Sequence, residues 1–248
     1  MVNLSVNVNK IALLRNARGS DVPDILSISK LILESGSHGI TVHPRPDLRH
    51  ITPKDVYELS VLTNKFSKEF NVEGNPFSNK TEIYEGFMEI IRFSKPTQCT
   101  LVPDSKNQLT SDHGWNLLKK NKKLKDCIKE LKDLGCRVSL FIDPDADQVI
   151  QAKEIGANRI ELYTGPYAEQ YAVDSNNSLV FDSYKKASEL ANKIGLKVNA
   201  GHDLNLTNLR NFLLVGGITE VSIGQALISD ALIYGIPKTI KKYLNLCV

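Results

Sequence analysis

The sequence has little of what marks specialised protein classes. Its four cysteines, Cys99, Cys127, Cys136 and Cys247, are far apart, with no C-x-x-C pair and no histidine at metal-ligand spacing. That excludes a zinc site and a redox dithiol, and the thiols are expected to be reduced and buried. No apolar stretch approaches the length of a membrane span. The first residues, Leu4 to Asn9, alternate in polarity rather than forming the continuous apolar region of a signal peptide, so a cytoplasmic chain without a membrane partner is expected. A net charge of +3, with scattered lysines and arginines, is too weak for a nucleic-acid surface, though compatible with a small anionic ligand. The densest basic run, Lys119 to Lys125, alternates with apolar positions and reads as the solvated face of a helix. Hydrophobic content of 42% and charged content of 24% point to an ordinary globular chain and against disorder or a fibrous repeat.

What is present is a repeated strand-helix rhythm. Short β-branched or alternating runs occur at Leu4–Asn9, Gly39–His43, Phe70–Glu73, Gln98–Pro103, Arg137–Asp143, Arg159–Tyr163, Lys197–Ala200 and Glu220–Ile223, with helical segments between them. Thr52-Pro53 supplies an N-cap and a proline at the first helical position, while Gly36, Gly135, Gly156 and Gly195 fit helix stops. Eight βα units in 248 residues, with no linker or shift of composition, predict a single (β/α)8 TIM barrel over 1–248. An open doubly wound sheet is the alternative, which the count of eight disfavours.

Side chains alternate faces along a strand, so the apolar positions sort the polar ones. With Leu4, Val6 and Val8 facing the helices, Ser5, Asn7 and Asn9 point inward. The same reasoning turns Thr41, His43, Asn71, Glu73, Glu161, Tyr163 and Asn199 into the barrel. Barrel interiors are usually filled by branched apolar residues, and burying unpaired polar groups costs roughly 1–3 kcal/mol each, so a polar lining indicates catalysis. His43 and Glu73 both end strands, both exchange protons, and each precedes a chain break, Pro44 and Gly74. Ser5, Asn71 and Asn199 fit an internal hydrogen-bond network equally well. Near the last two strand ends, Gly201 and Gly224 allow close backbone approach, the arrangement with which such barrels hold phosphate.

The run Asn7 to Gly19 resembles the N-terminal signature of the pyridoxine 5′-phosphate synthase family, and similar segments follow in order: Gly39-Ile40-Thr41-Val42-His43-Pro44-Arg45, Asn71-Val72-Glu73, Leu101-Val102-Pro103, Val138 to Asp143, Lys197 to His202, and Ile223-Gly224. The resemblance implies condensation of 1-deoxy-D-xylulose 5-phosphate with 3-amino-2-oxopropyl phosphate, without cofactor or metal. It casts His43 and Glu73 as proton acceptors, His202 as proton donor and Glu161 as a stabiliser of developing charge. It assigns Arg45, His50 and Thr110 to the pentulose phosphate, and Asn7, Arg18 and the Gly224 region to the amino-ketone phosphate. The stretch Pro103 to Trp115 is similar to the family's closing loop, and a homo-oligomer is implied.

The chain departs from the family pattern at Asn9-Lys10, where Asp-His is familiar, at Asp203, where glycine is usual, and at Gln225, where histidine is usual. These four positions are expected to touch substrate, and Asp203 would repel a phosphate dianion unless its side chain turns away. The competing readings are another phosphate-handling barrel enzyme, such as an isomerase or aldolase, and a non-catalytic phosphometabolite-binding barrel. A Schiff-base aldolase requires a lysine at a strand end, and Lys10 at the end of the first strand is the only candidate, which disfavours that route.

Overall fold

Each of the eight expected strands forms, and together they close into a parallel barrel in sequence order, β1 to β8. They are β1 (Asn3–Asn7), β2 (Gly39–Val42), β3 (Glu69–Gly74), β4 (Gln98–Leu101), β5 (Arg137–Ile142), β6 (Arg159–Tyr163), β7 (Lys197–Gly201) and β8 (Ile218–Ile223). The structure is a computed structural model that describes residues 1–105, 108–119, 121–175 and 178–248. The helical layer comprises α1 (Asn9–Asn16), α2 (Ile25–Glu34), α3 (Pro53–Lys65), α4 (Phe87–Ser94), α5 (Lys122–Asp133), α6 (Ala146–Glu154), α7 (Gly165–Val173), α8 (Ser178–Lys193), α9 (Leu209–Phe212), α10 (Gln225–Tyr234) and α11 (Ile236–Leu244). Among the described residues no helix is long and apolar enough to cross a membrane.

The sorting by alternation holds. Leu4, Val6, Ile40, Val42, Val72, Ile160, Leu162 and Val198 are fully buried between strands and helices, and this shell is the main hydrophobic core. The expected caps also form: Thr52 Oγ1 accepts the Asp55 N–H at 3.2 Å while Asp55 Oδ2 accepts the Thr52 N–H at 2.8 Å, with Pro53 in the first turn of α3. Gly135 and Gly195 take φ of 88° and 79° after their helices. The basic run lies partly on α5, whose Leu124, Ile128 and Leu131 face inward; position 120 is outside the described residues. Cys99, Cys136 and Cys247 are buried, Cys127 is half-buried, and all four are free thiols.

One boundary differs in a way that matters. The first strand was expected to run to Asn9, but it stops at Asn7, and Asn9 and Lys10 open α1. The reason is local: Asn7 Oδ1 accepts the Asn9 N–H at 3.0 Å, a side-chain turn that competes with the ladder and bends the chain out of the sheet. Asn9 is therefore not an inward strand residue, and Lys10 is exposed on a helix.

Candidate active site

The C-terminal mouth of the barrel collects the titratable residues. His43 follows β2, Glu73 lies near the end of β3, Glu161 is in the middle of β6 and His202 follows β7. His43 Nδ1 is 3.9 Å from Glu73 Oε2, which also accepts from Asn7 Nδ2 at 3.3 Å. The His43 N–H is held by Asn9 Oδ1 at 2.9 Å, so Asn9 reaches the site from α1 through the backbone of the histidine. Below them a buried polar chain crosses the barrel: Ser5 and Thr41 hydroxyls at 2.7 Å, Asn71 Nδ2 to Thr41 at 3.4 Å, and Thr100 Oγ1 within 3.1 Å of Asn71 Oδ1 and 3.3 Å of Glu161 Oε2. Ser5 and Asn71 thus belong to a self-satisfied network. That network ends on Glu161.

Burial sets the protonation states. Desolvation raises Glu73 well above the ordinary carboxyl range, and the nearby charges of Glu161 and Asp104 raise it further. Glu161 is pushed up to about 7, again chiefly by desolvation. Burial, with Arg45 and His50 as neighbours, drives His43 well down, so its imidazole is neutral in the free site. His50 falls to about 3 for the same reason, with contributions from Arg45, Arg49 and, more weakly, Lys10. Its Nδ1 accepts the Ile51 N–H at 2.9 Å, leaving the ring proton on Nε2 as a donor.

His202 stands across the mouth on strained backbone. Its φ is 91° and that of Asp203 is 57°, conformations costing about 1–3 kcal/mol each in a non-glycine residue. The Thr164 hydroxyl pins this turn, shared between the Gly201 carbonyl at 2.7 Å and that of His202. Asp203 Oδ2 sits 2.8 Å from His202 Nδ1, so this carboxylate turns onto the imidazole. Its own pKa is lowered, chiefly by that hydrogen bond. Tyr163 packs edge-on against the His202 ring at 5.3 Å. At Gly201 a Cβ would lie 2.6 Å from Glu161 Oε1, so a larger residue there would shift that carboxylate.

From the loop after β4, Asp104 and residues 108–111 lie at the mouth. Arg45 donates to the Gln108 carbonyl at 3.4 Å and Arg49 to that of Leu109 at 3.0 Å, while Thr110 Oγ1 lies 2.8 Å from His202 Nε2 on the far side. Residues 106 and 107 of this loop are outside the described residues. At the β8 end, Gly224 packs on Asn7, where a Cβ would come within 3.1 Å of Asn7 Cβ, and it precedes the first turn of α10. Gln225 is exposed and donates along its own helix to Ser229 Oγ at 3.3 Å. Arg18 is exposed in the turn after α1, whereas Arg15 is tied to Asp55 by bonds of 2.6 and 2.8 Å.

Two features escaped the sequence. Asp104, buried in the loop, pairs with Arg45, and its Oδ2 is 4.0 Å from His43 Nε2. At the opposite end of the barrel Glu220 Oε2 meets Arg159 Nη1 at 3.3 Å, Asn199 Nδ2 donates to Glu220 Oε1 at 3.3 Å, and Arg137 pairs with Glu69 at 2.7 Å. Asn199 therefore serves this lower network. Among the described residues no group of three or more His, Cys, Asp or Glu is arranged to hold a metal ion.

The family model described as "Pyridoxal phosphate biosynthesis protein PdxJ" matches residues 4–248. The chain belongs to this family. It is 50% identical over 244 residues to the pyridoxine 5′-phosphate synthase of Xanthomonas campestris pv. campestris (strain B100), covering 98% of this chain and 94% of that protein. With the enzyme of the same name from Xylella fastidiosa (strain M23) the identity is 48% over the same shares. Among solved structures, thiamine phosphate pyrophosphorylase from Pyrococcus furiosus superposes with a TM-score of 0.60 at 10% identity, covering 99% of this chain and 95% of that one. N-(5′-phosphoribosyl)anthranilate isomerase from Pyrococcus furiosus does so at 0.59 and 12%, covering 100% and 98%. At such identities these two share the fold alone.

Proposed function

We propose that this chain is a pyridoxine 5′-phosphate synthase, joining 1-deoxy-D-xylulose 5-phosphate to 3-amino-2-oxopropyl phosphate and releasing water and inorganic phosphate as the pyridine ring closes. The observation that carries the proposal is the pairing of two proton-exchange centres across one barrel mouth, His43 with Glu73 and His202 with Asp203, over the buried Glu161. Imine formation, enolisation, elimination and ring closure each require a proton to move near neutral pH.

A neutral His43 is ready to accept a proton. Glu73, raised by burial, is a stronger base than an ordinary carboxylate once its proton has left. His202, held by Asp203 at Nδ1, directs Nε2 into the mouth as the donor, and Thr110 occupies that nitrogen in the free chain. Glu161, poised near neutrality, steadies positive charge on an iminium or oxocarbenium-like centre when ionised. Arg45 and the Nε2 proton of His50 serve the pentulose phosphate. Asn7, Arg18 and the amides around Gly224 serve the amino-ketone phosphate, in keeping with anion binding at a helix N-terminus. Lys10, in the first turn of α1, replaces the familiar histidine as a cation for the pentulose phosphate. Asp203 faces the imidazole, so the feared repulsion of a dianion is reduced.

The proposal includes a cytoplasmic homo-oligomer acting on small phosphorylated substrates without metal or cofactor. The test is incubation with both phosphates and chromatographic detection of pyridoxine 5′-phosphate. Binding of both substrates without product would favour the non-catalytic barrel instead.

A further inference from the structure

Asp104 is an unusual residue to find against a phosphate-binding arginine. It is only 7% exposed, and among the described residues its Oδ1 has no hydrogen-bond partner. Its Oδ2 receives the Arg45 guanidinium and the Ser111 hydroxyl, the latter at 2.8 Å. A half-satisfied carboxylate buried beside an arginine is costly unless it has a use. Next to it is a cavity of about 280 Å³ whose walls include His43, Arg45, Asn75, Lys80, Thr81 and Asp104. The cavity therefore offers two cations, an amide and a hydroxyl to an anion, with Asp104 already on the guanidinium.

We infer that Asp104 is the internal anion of Arg45: its carboxylate holds the guanidinium and the Ser111 hydroxyl in place in the free chain, and yields Arg45 to the phosphate of an incoming substrate. This rests on the proposed use of the mouth for phosphorylated substrates. A carboxylate and a phosphate dianion compete for one buried guanidinium, because like charges held that close repel. Binding of phosphate therefore expels Asp104 from Arg45 and with it loosens Ser111 and the Gln108 carbonyl, which share the same two partners. Asp104 is a positioning residue that sets phosphate affinity and couples it to the loop.

The experiment is titration of inorganic phosphate, by calorimetry or phosphorus NMR, into wild type, Asp104→Asn, Ser111→Ala and Arg45→Ala. Removing the competing charge in Asp104→Asn is expected to tighten phosphate binding about tenfold, and Ser111→Ala, which only weakens the hold on Asp104, about twofold to threefold. Arg45→Ala is expected to abolish binding at the Arg45 end of the mouth, leaving only the phosphate held near Gly224, and the tightening by Asp104→Asn is expected to vanish in the double variant. A residue with a merely structural role would not tighten binding when replaced. Unchanged or weaker phosphate binding in Asp104→Asn overturns the inference, and if that variant does not fold, Ser111→Ala decides alone by the same criterion. Failure of the proposed function is read separately, as absence of pyridoxine 5′-phosphate from the wild type.

Discussion

Replacing Glu161 by Gln should make the protein more stable and inactive, and the stabilisation should depend on pH in a calculable way. The folded chain holds the Glu161 proton up to about pH 7, against an ordinary value of 4.5. Between these values the folded state binds more proton than the unfolded one, so stability falls as pH rises through that window. Gln carries no such penalty. The gap between variant and wild type is expected to grow from ~1 kcal/mol at pH 5.5 to ~3 kcal/mol at pH 8, where the carboxyl is ionised in both states. At pH 8 that corresponds to a rise in Tm of roughly 5–10 °C for a chain of this size. Urea unfolding at pH 5.5, 6.5, 7.5 and 8 measures it. A gap that is flat across this range, or a destabilised variant at pH 8, would refute the assignment of a desolvated carboxyl near neutrality. The accompanying loss of turnover is what a stabilised active-site variant should show.

Other perturbations read other parts of the site. Glu73→Gln and His43→Ala should each lower turnover roughly 10²–10⁴-fold with unchanged circular dichroism, since each removes a positioned proton acceptor; near-normal turnover would return them to the structural network. Gly201→Ala should cost about 10²-fold in kcat, because the new methyl displaces the Glu161 carboxylate 2.6 Å away; wild-type kcat would show that its position does not matter. Lys10→Ala should raise KM for 1-deoxy-D-xylulose 5-phosphate several-fold and leave kcat unchanged, and unaltered kinetics would make Lys10 a solvated charge.

Much of this was legible in the sequence because period-two alternation needs no tertiary knowledge: apolar Ile160 and Leu162 alone turn Glu161 inward. The same phase turns Arg159 inward with Glu161 and Glu220 inward with Ser222, so the members of the lower ionic network lie on the barrel face in the sequence, while their pairing across strands appears only in the fold. The end of β1 was not readable by alternation, since Val8 stays buried whether the chain is strand or helix start, and the deciding event is the Asn7 side chain accepting the Asn9 N–H. Asp104 could not be found locally at all. It follows a proline in a polar loop, and its burial depends on Arg45, 59 positions earlier. The turning of Asp203 onto His202 likewise depends on backbone with positive φ that nothing in a Gly-His-Asp run announces.

The central claim is that one barrel mouth performs the whole condensation with its own acid and base groups. The most direct measurement is the stoichiometry of products when purified protein, free of added metal and nucleotide, is given both phosphorylated substrates at neutral pH. The account predicts one pyridoxine 5′-phosphate for each inorganic phosphate released, with both lost together in Glu73→Gln. Phosphate release without pyridoxine 5′-phosphate, or neither product from protein shown to bind both substrates, would contradict it.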